Sequence, residues 1–568
     1  MGLRPILLAV LATASLACSS GASRPAASGQ PIPPQQVQSR TLNIAVRAEP
    51  VSLASVSVDS TGLSDRSTTR LFNAELELQD PSEAAHPYLA EGLPQLNTES
   101  WQVTPDGRMQ TTYRLKPNLQ WHDGNALSAE DFLFAWRVYA SPEFSPSALP
   151  PINQMEEVQA PDSQTVVIRW HRPYPGAGAL YEKFQPLPRH ILEPIFRQGT
   201  LDNVAKHAYW STEYVGLGPY RLVRWEPGAL IEAVAFDAHV LGRPKIDRLV
   251  VKFISNENTA LANMLAEEID YATSVTLRYE QALTLEREWQ SNRAGTVILI
   301  PIQPRFIQFQ LRPEVASPRA ILDLRVRRAL AHTIDKPGID DALFDGKGAV
   351  TDTMLHRRIP YFSDIDRAIT KYAHDPRRAE QLVNEAGLTK GADGIYLQPG
   401  GERLAAEFWG DAGTQFEREL AAIADGWLRS GIETRQQLIT TSQYRDGELR
   451  SSFPAMYSTA SGTATEDFLS ILTSAQIPAP ANRWVGNNRG GWNNAEYERL
   501  WDTFNTTLDR SARNRVAADM EKLVSEELPM LMLFHNFHVV AHLSRLQGPD
   551  PRALRDLMVW NVHTWEMR

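Results

Sequence analysis

Beyond residue 40 two kinds of segment alternate, and this alternation limits the fold more than any other feature of the 568-residue chain. TLNIAVRA (41–48), TVVIRW (165–170), RLVVKFI (248–254) and TVILIPI (296–302) are short, β-branched runs of strand length. Between them lie segments with helical periodicity: 128–140, 258–269, 375–387, 414–431 and 511–528. Ser128 with Asp131 predicts an N-cap and an acidic first turn. Gly387 and Gly431 stand just past two of the helices, where a left-handed residue ends a helix most easily. The expectation is a mixed α/β chain with more than one lobe, without an internal repeat. Cys18 is the single cysteine, so no intrachain disulfide supports the fold and buried apolar surface must do so.

The position of Cys18 is informative. The chain opens MGLRPILLAVLATASLACSSG, with Arg4 before an apolar run from Pro5 to Ala17. This is the layout of a secretory signal, and the run is shorter than the roughly twenty residues a membrane span needs. We read residues 1–17 as a signal peptide and Cys18 as a lipidation site, because the motif resembles a bacterial lipobox. It departs from that motif at Ser15, where an aliphatic residue is usual. Residues 18–40 then form a lipidated cysteine and a flexible tether rich in Ser, Ala, Gly, Pro and Gln. Later in the chain, LPMLMLFHNFHVVAHL (528–543) is the most apolar stretch, but three His and one Asn interrupt it, so it reads as buried structure. The net charge of −10 argues against a nucleic-acid partner.

Six blocks, in order, resemble one family. WQVTPDGRMQTTYRLKPNLQWHDGNALSAEDFLFAWRV (101–138) is a strand, a turn, a strand, a second turn and a capped helix, in the wording of the extracytoplasmic solute-binding proteins of family 5. GLGPYRLVRWEPGALI (216–231), AEEIDYA (266–272), LDLRVRRALAHTIDKPGI (322–339), YAHDPRRAEQLVNEAG (372–387) and ELPMLMLFHN (527–536) with LQG (546–548) follow as in that family. Family members are the receptors of ATP-binding-cassette importers for peptides, dipeptides and nickel. The resemblance implies an α/β, two-lobe periplasmic-binding-protein clamshell of type II, with an extra subdomain on lobe one, that closes about a hinge. It implies lobe one at 41–70, 200–300 and 530–568, the inserted subdomain at 71–199, and lobe two at 301–529. It further implies a monomer outside the cytoplasm, held to a membrane through Cys18, that passes oligopeptides to a permease, uses no cofactor and is not an enzyme. A glycan or other uncharged solute, or a sensing or scavenging role without transport, is the alternative.

The resemblance also points to ligand-binding residues. Peptide-binding members place an acid in a W-x-x-D-Y segment of lobe two to pair with the ligand's α-ammonium group. Aligned on the following DFL, that place falls on Ser461. Either Glu466 or Asp467 restores the charge, or Ser458, Thr459, Ser461 and Thr463 offer hydroxyls to a ligand without a free amine. Against the first option, Asp467 is also placed to cap a helix beginning at Phe468. From lobe one, Asp59, Ser60 and Thr61 follow the first strand and would run beside the ligand. Trp409, Tyr457, Trp484 and Trp492 are the aromatic candidates for a broad cleft.

Signatures of catalysis are missing: there is no H-E-x-x-H or G-x-S-x-G. His535, His538 and His542 would share a face only on a helix, and the β-branched pair beside them favours extended chain, so no metal site is expected there.

Overall fold

The computed structural model describes residues 40–56, 66–81, 83–141, 150–180, 183–198, 201–348, 350–440, 442–552 and 557–568. The signal peptide, Cys18, the tether to residue 39, and Asp59, Ser60 and Thr61 lie outside the described residues.

The strands that matter here are, in chain order, β1 (Thr41–Val46), β2 (Trp101–Val103), β3 (Met109–Arg114), β4 (Met155–Gln159), β5 (Thr165–Trp170), β6 (Tyr220–Glu226), β7 (Leu230–Ala235), β8 (Arg248–Phe253), β9 (Tyr271–Leu277), β10 (Gly295–Phe309), β11 (Ala405–Asp411), β12 (Glu433–Ile439), β13 (Met456–Ala460) and β14 (Met530–Leu543). The helices that matter here are α1 (Ala129–Tyr139), α2 (Tyr279–Asn292), α3 (Pro376–Glu385), α4 (Thr414–Arg429), α5 (Ala495–Thr506) and α6 (Arg510–Glu527). Each run read as a strand or a helix above is found as one. The predicted ends hold as well. The Asp131 carboxylate accepts the Ser128 N–H at 2.9 Å, and Gly387 and Gly431 take φ of 86° and 88° just beyond α3 and α4. Asp375 receives the N–H groups of Arg377 and Arg378, with Pro376 in the first turn of α3.

Ten of the described strands form one sheet in the order β12-β11-β13-β10-β14-β9-β1-β8-β7-β6, and β2-β3-β5-β4 form a separate four-stranded sheet. The ten strands do not make one slab. On the first side, β1 lies parallel to β8 and β9, and β9 is antiparallel to β14 from Tyr271 to Leu277. On the second, β11 is parallel to β12 and β13, and β13 is antiparallel to β10 from Arg305 to Phe309. Between these stretches, Ile300 to Pro304 of β10 and His535 to His538 of β14 pair with one another alone in the sheet.

The burial of β10 records this passage. Positions 297–303 alternate half-buried and buried, as a two-stranded ribbon with one wet face requires, and 304–309 are buried throughout, where β13 and β14 flank the strand. The register slips between Pro301 and Gln303 and again between Arg305 and Phe306. Pro301 and Pro304 lack an N–H for a ladder and sit at these irregularities. The apolar cores divide at the same place. One includes Leu42, Trp121, Tyr220 and Trp565, and so joins the four-stranded sheet to the first side. Others, such as the one around Phe408, Leu420 and Trp427 and the one around Phe306, Phe468 and Tyr497, belong to the second. We call these sides the first and second half.

Candidate functional site

The strand directions locate the site. In the second half, Ala460 at the end of β13 pairs with Arg305, next to the ribbon, so the parallel strands β11, β12 and β13 point their carboxyl ends at it. In the first half, Leu277 at the end of β9 pairs with Val539, and Ala272 with Ala541 farther out, so β9 and its parallel neighbours β1 and β8 also end towards the ribbon. Carboxyl ends of parallel strands are where open α/β sheets gather ligands. Here two such edges face each other across a shared floor.

The floor is polar. Gln415, in the first turn of α4, donates from Nε2 to Asn536 Oδ1 at 2.8 Å, and Asn536 Nδ2 donates to Gln303 Oε1 at 3.3 Å. This chain of amides ties both ribbon strands to the second half. Beside it the rings of His356 and His535 lie 5.6 Å apart. Burial, with the neighbouring Arg358 a smaller influence, pulls His356 down to about 4. Burial, then His356 itself, pulls His535 down to about 3. Both are therefore neutral at neutral pH. His538 lies farther along the same extended strand and His542 near its end, as expected of strand rather than helix.

The second-half wall rests on a buried charge cluster. Arg305 is fully shielded; its Nε donates to Glu419 Oε2 at 2.8 Å, Asp411 Oδ2 lies 3.8 Å from its Nη1, and the Phe416 ring covers it at 4.2 Å. Three candidate hydroxyls turn into this cluster. Ser458 donates to Glu419 at 2.6 Å, Thr459 to Asp411 at 2.9 Å and Tyr457 to Asp411 at 2.5 Å. Burial, then the Asp411 charge, pushes the Tyr457 phenol well above its ordinary value. These hydroxyls set the wall's shape from behind.

Ser461 and Thr463 are placed differently. Both are half-buried in the loop that leaves β13, with Gly462 between them at φ 61°. The loop is fastened to the ribbon: the Ala464 N–H donates to the Ile302 carbonyl at 3.0 Å, and the His356 N–H to the Ala464 carbonyl at 2.8 Å. Next comes a 3-10 helix, Glu466–Leu472, with Thr465 at its N-cap. Asp467 thus lies inside the first turn and does not precede the helix as a cap would. Glu466 accepts from Tyr361 Oη at 2.8 Å and Arg513 Nη2 at 2.6 Å. Asp467 accepts from Lys183 of the first half at 2.7 Å.

Of the aromatic candidates, Trp409 is buried beside Tyr457, Phe453 and Ile439 and donates to Glu407 at 2.8 Å. Trp492 is buried against Tyr497, with ring centroids 5.1 Å apart. Trp484 is half-buried in a left-handed conformation, φ 60°. Trp409 and Trp492 thus belong to separate apolar clusters.

In the first half, the segment after β1 is held by a network that no local pattern announces. Gln185 Oε1 accepts the Ser55 N–H at 2.6 Å, Gln185 Nε2 donates to Asn73 Oδ1 at 2.9 Å, and Asn73 Nδ2 donates to the Leu53 carbonyl at 2.6 Å. Residues 53–56 are thereby anchored to Gln185 and Asn73. Gln185, Gln303, Arg305, Gln415 and Asn536 were not legible as site residues, since each acts through partners far away in sequence. Among the described residues no cluster of three or more His, Cys, Asp or Glu is arranged to hold a metal ion, and no helix is long and apolar enough to cross a membrane.

Comparison with known proteins agrees with this architecture. The family profile for the middle region of bacterial extracellular solute-binding proteins, family 5, matches residues 93–479. The oligopeptide-binding protein AppA of Bacillus subtilis is 24% identical over 472 residues, 81% of each chain. Among solved structures, the oligopeptide-binding protein of Thermus thermophilus complexed with a pentapeptide superposes with a TM-score of 0.77 at 22% identity, covering 93% of this chain and 96% of that one. NikZ of Campylobacter jejuni in complex with Ni(L-His) does so with a TM-score of 0.76 at 21% identity, covering 93% and 99%.

Proposed function

The chain belongs to the bacterial extracellular solute-binding proteins of family 5, and from that membership and the geometry of the cleft we propose that it captures oligopeptides for an ATP-binding-cassette importer. The observation that carries the reading is the pair of facing carboxyl edges joined by the β10–β14 ribbon. A guest held by both edges stabilises the closed form by contacts that the open form lacks, so binding and closure are one equilibrium. Capture and release then need no bond chemistry, and the importer reads the closed form.

In this reading residues 41–70, 200–300 and 530–568 make up one lobe and 301–529 the other, with 71–199 inserted in the first. The ligand contacts in this reading are Asp59, Ser60 and Thr61 of lobe one, which lie outside the described residues, and Ser461 and Thr463 of lobe two. The charge state of the Ser461 loop sets the ligand preference. Glu466 is occupied by Arg513 and Tyr361, and Asp467 by Lys183. Near Ser461 the loop thus offers hydroxyls and peptide groups, and a ligand's free ammonium group gains no carboxylate there. Calorimetry with matched free and N-acetylated oligopeptides tests this. Affinities within about ten-fold, or 1.4 kcal/mol, are expected, and a preference for the free amine beyond about a hundred-fold would show that an acid does pair with it.

Attachment to a membrane through lipidated Cys18, with the tether letting a monomeric body stand clear of the surface, completes the proposal. Fractionation checks it: Cys18→Ser should move the protein from the membrane pellet to the soluble extracytoplasmic fraction, and an unchanged distribution would remove the anchor.

A further inference from the structure

The two halves meet at a second place, apart from the ribbon. There the four-stranded sheet's side of the first half touches the segment 467–508 of the second. Lys183 Nζ donates to Asp467 Oδ1 at 2.7 Å. The Arg172 guanidinium, held from behind by Gln154 Oε1 at 3.0 Å, pairs with Asp502 of α5. Leu508, in the turn between α5 and α6, packs on the core of the first half. Arg172, Asp502, Asn153, Glu498 and Trp501 also line a cavity of about 460 Å³ between the halves, so this stretch of the seam is open to water rather than filled by packed side chains.

We propose that the Lys183–Asp467 and Arg172–Asp502 pairs form a latch that favours closure of the cleft before any ligand arrives. The inference rests on the reading of the chain as a hinged receptor. Its argument is one of position and burial. All four side chains come from elements outside the ribbon, and each pair joins one half to the other. Rotation about the ribbon therefore separates the partners, and each charge regains full hydration at little cost, because the four side chains are 31–53% exposed even when paired. A buried pair would lock the halves, whereas an exposed one biases them reversibly.

Each such pair shifts the ratio of closed to open forms by about two- to five-fold, and added salt weakens the shift. A larger closed fraction raises apparent affinity for every ligand alike, since less of the binding free energy is spent on closure. The latch also decides what Asp467 sees. This acid stands directly after the Ser461–Thr465 loop, and in the closed form its neighbour is the protein's own ammonium group.

The test measures closure without ligand. Dyes on Val223→Cys and Leu428→Cys, two positions each 51% exposed in opposite halves, report the interlobe distance by single-molecule energy transfer in the full chain carrying Cys18→Ser. Lys183→Glu and Asp467→Lys should each lower the ratio of closed to open forms by about five-fold. The double charge swap should restore it to within about two-fold, and high salt should bring the wild type and the single variants together. Unchanged ratios in the single variants, or a double variant as open as either single one, would overturn the proposal. Because no ligand is present, that failure leaves peptide capture untouched. A receptor that latches normally but binds no peptide would instead defeat the function proposed above and leave the latch standing.

Discussion

Arg305 and Glu419 meet with both side chains fully shielded, whereas Lys183 and Asp467 meet with 31% and 51% of theirs exposed. The distances are nearly equal, 2.8 and 2.7 Å. What differs is the cost of parting. Removing one partner of the buried pair strands a charge in a medium that cannot solvate it, and removing one partner of the exposed pair leaves the other to water. The first pair therefore belongs to a wall that must keep its shape, and the second to a seam that must open.

This contrast breaks most visibly at Glu419. Replacing it with Leu leaves Arg305 buried beside Asp411 alone and deprives Ser458 of its acceptor; we expect a loss of about 3–5 kcal/mol in urea unfolding followed by tryptophan fluorescence. A loss under about 1 kcal/mol would mean that water or a shifted Asp411 compensates, and the wall would no longer count as rigid.

Glu521 sharpens the comparison because it is a buried acid whose partners among the described residues are backbone N–H groups and not a cation. Its carboxylate accepts the Met354 and Leu355 N–H groups at 3.0 and 2.8 Å, and burial pushes it up from 4.5 to about 7 despite them. A raised carboxyl group binds its proton more tightly in the folded chain, so its contribution is intact at low pH and is lost as pH climbs through the window from 4.5 to 7. The loss amounts to roughly 3 kcal/mol at most. His356 and His535 act in the opposite sense, since depressed imidazoles favour the folded chain above their unfolded value and withdraw that support as pH falls from 6.5 towards 4 and 3. Between pH 5 and 7 the histidines make unfolding free energy rise with pH and Glu521 opposes that rise, so the curve for Glu521→Gln should climb more steeply than that of the wild type. Parallel curves would exclude Glu521 as the titrating group.

The smallest effect is the most discriminating. Lys183→Met, which keeps the apolar stem, should change unfolding free energy by less than about 0.5 kcal/mol while still shifting the ratio of closed to open forms. If it costs as much stability as the Glu419 change, the seam is structural and the distinction collapses.

Local features were legible in the sequence where one short segment carries its own cause. Asp375 and Pro376 start α3, Gly387 supplies the left-handed exit from it, and the alternation in TVILIPI marks a strand with one wet face. Ser461 was legible as a position without an acid, because its neighbours align it. The partners that define the site were not. Lys183 and Asp467 stand 284 residues apart, Arg305 and Glu419 114, and Gln185 and Ser55 130. Nothing within a helix or strand period links such residues, and an arginine inside RFIQFQ gives no sign that a helix a hundred residues later brings its counterion. Asp467 itself reads as a cap in one dimension because the 3-10 helix begins two residues earlier than its apolar pattern suggests.

The placement of β14 has a bearing on biosynthesis. This strand, Met530–Leu543, is inserted between β9 and β10, which precede it by well over two hundred residues. A growing polypeptide can finish most of the second half while the first still lacks an interior strand, and that gap is filled only when the carboxyl-terminal stretch emerges from the ribosome or the export channel. Truncation near residue 530 would thus leave an unzipped, adhesive edge in the half made earliest, where holding factors would have most to protect.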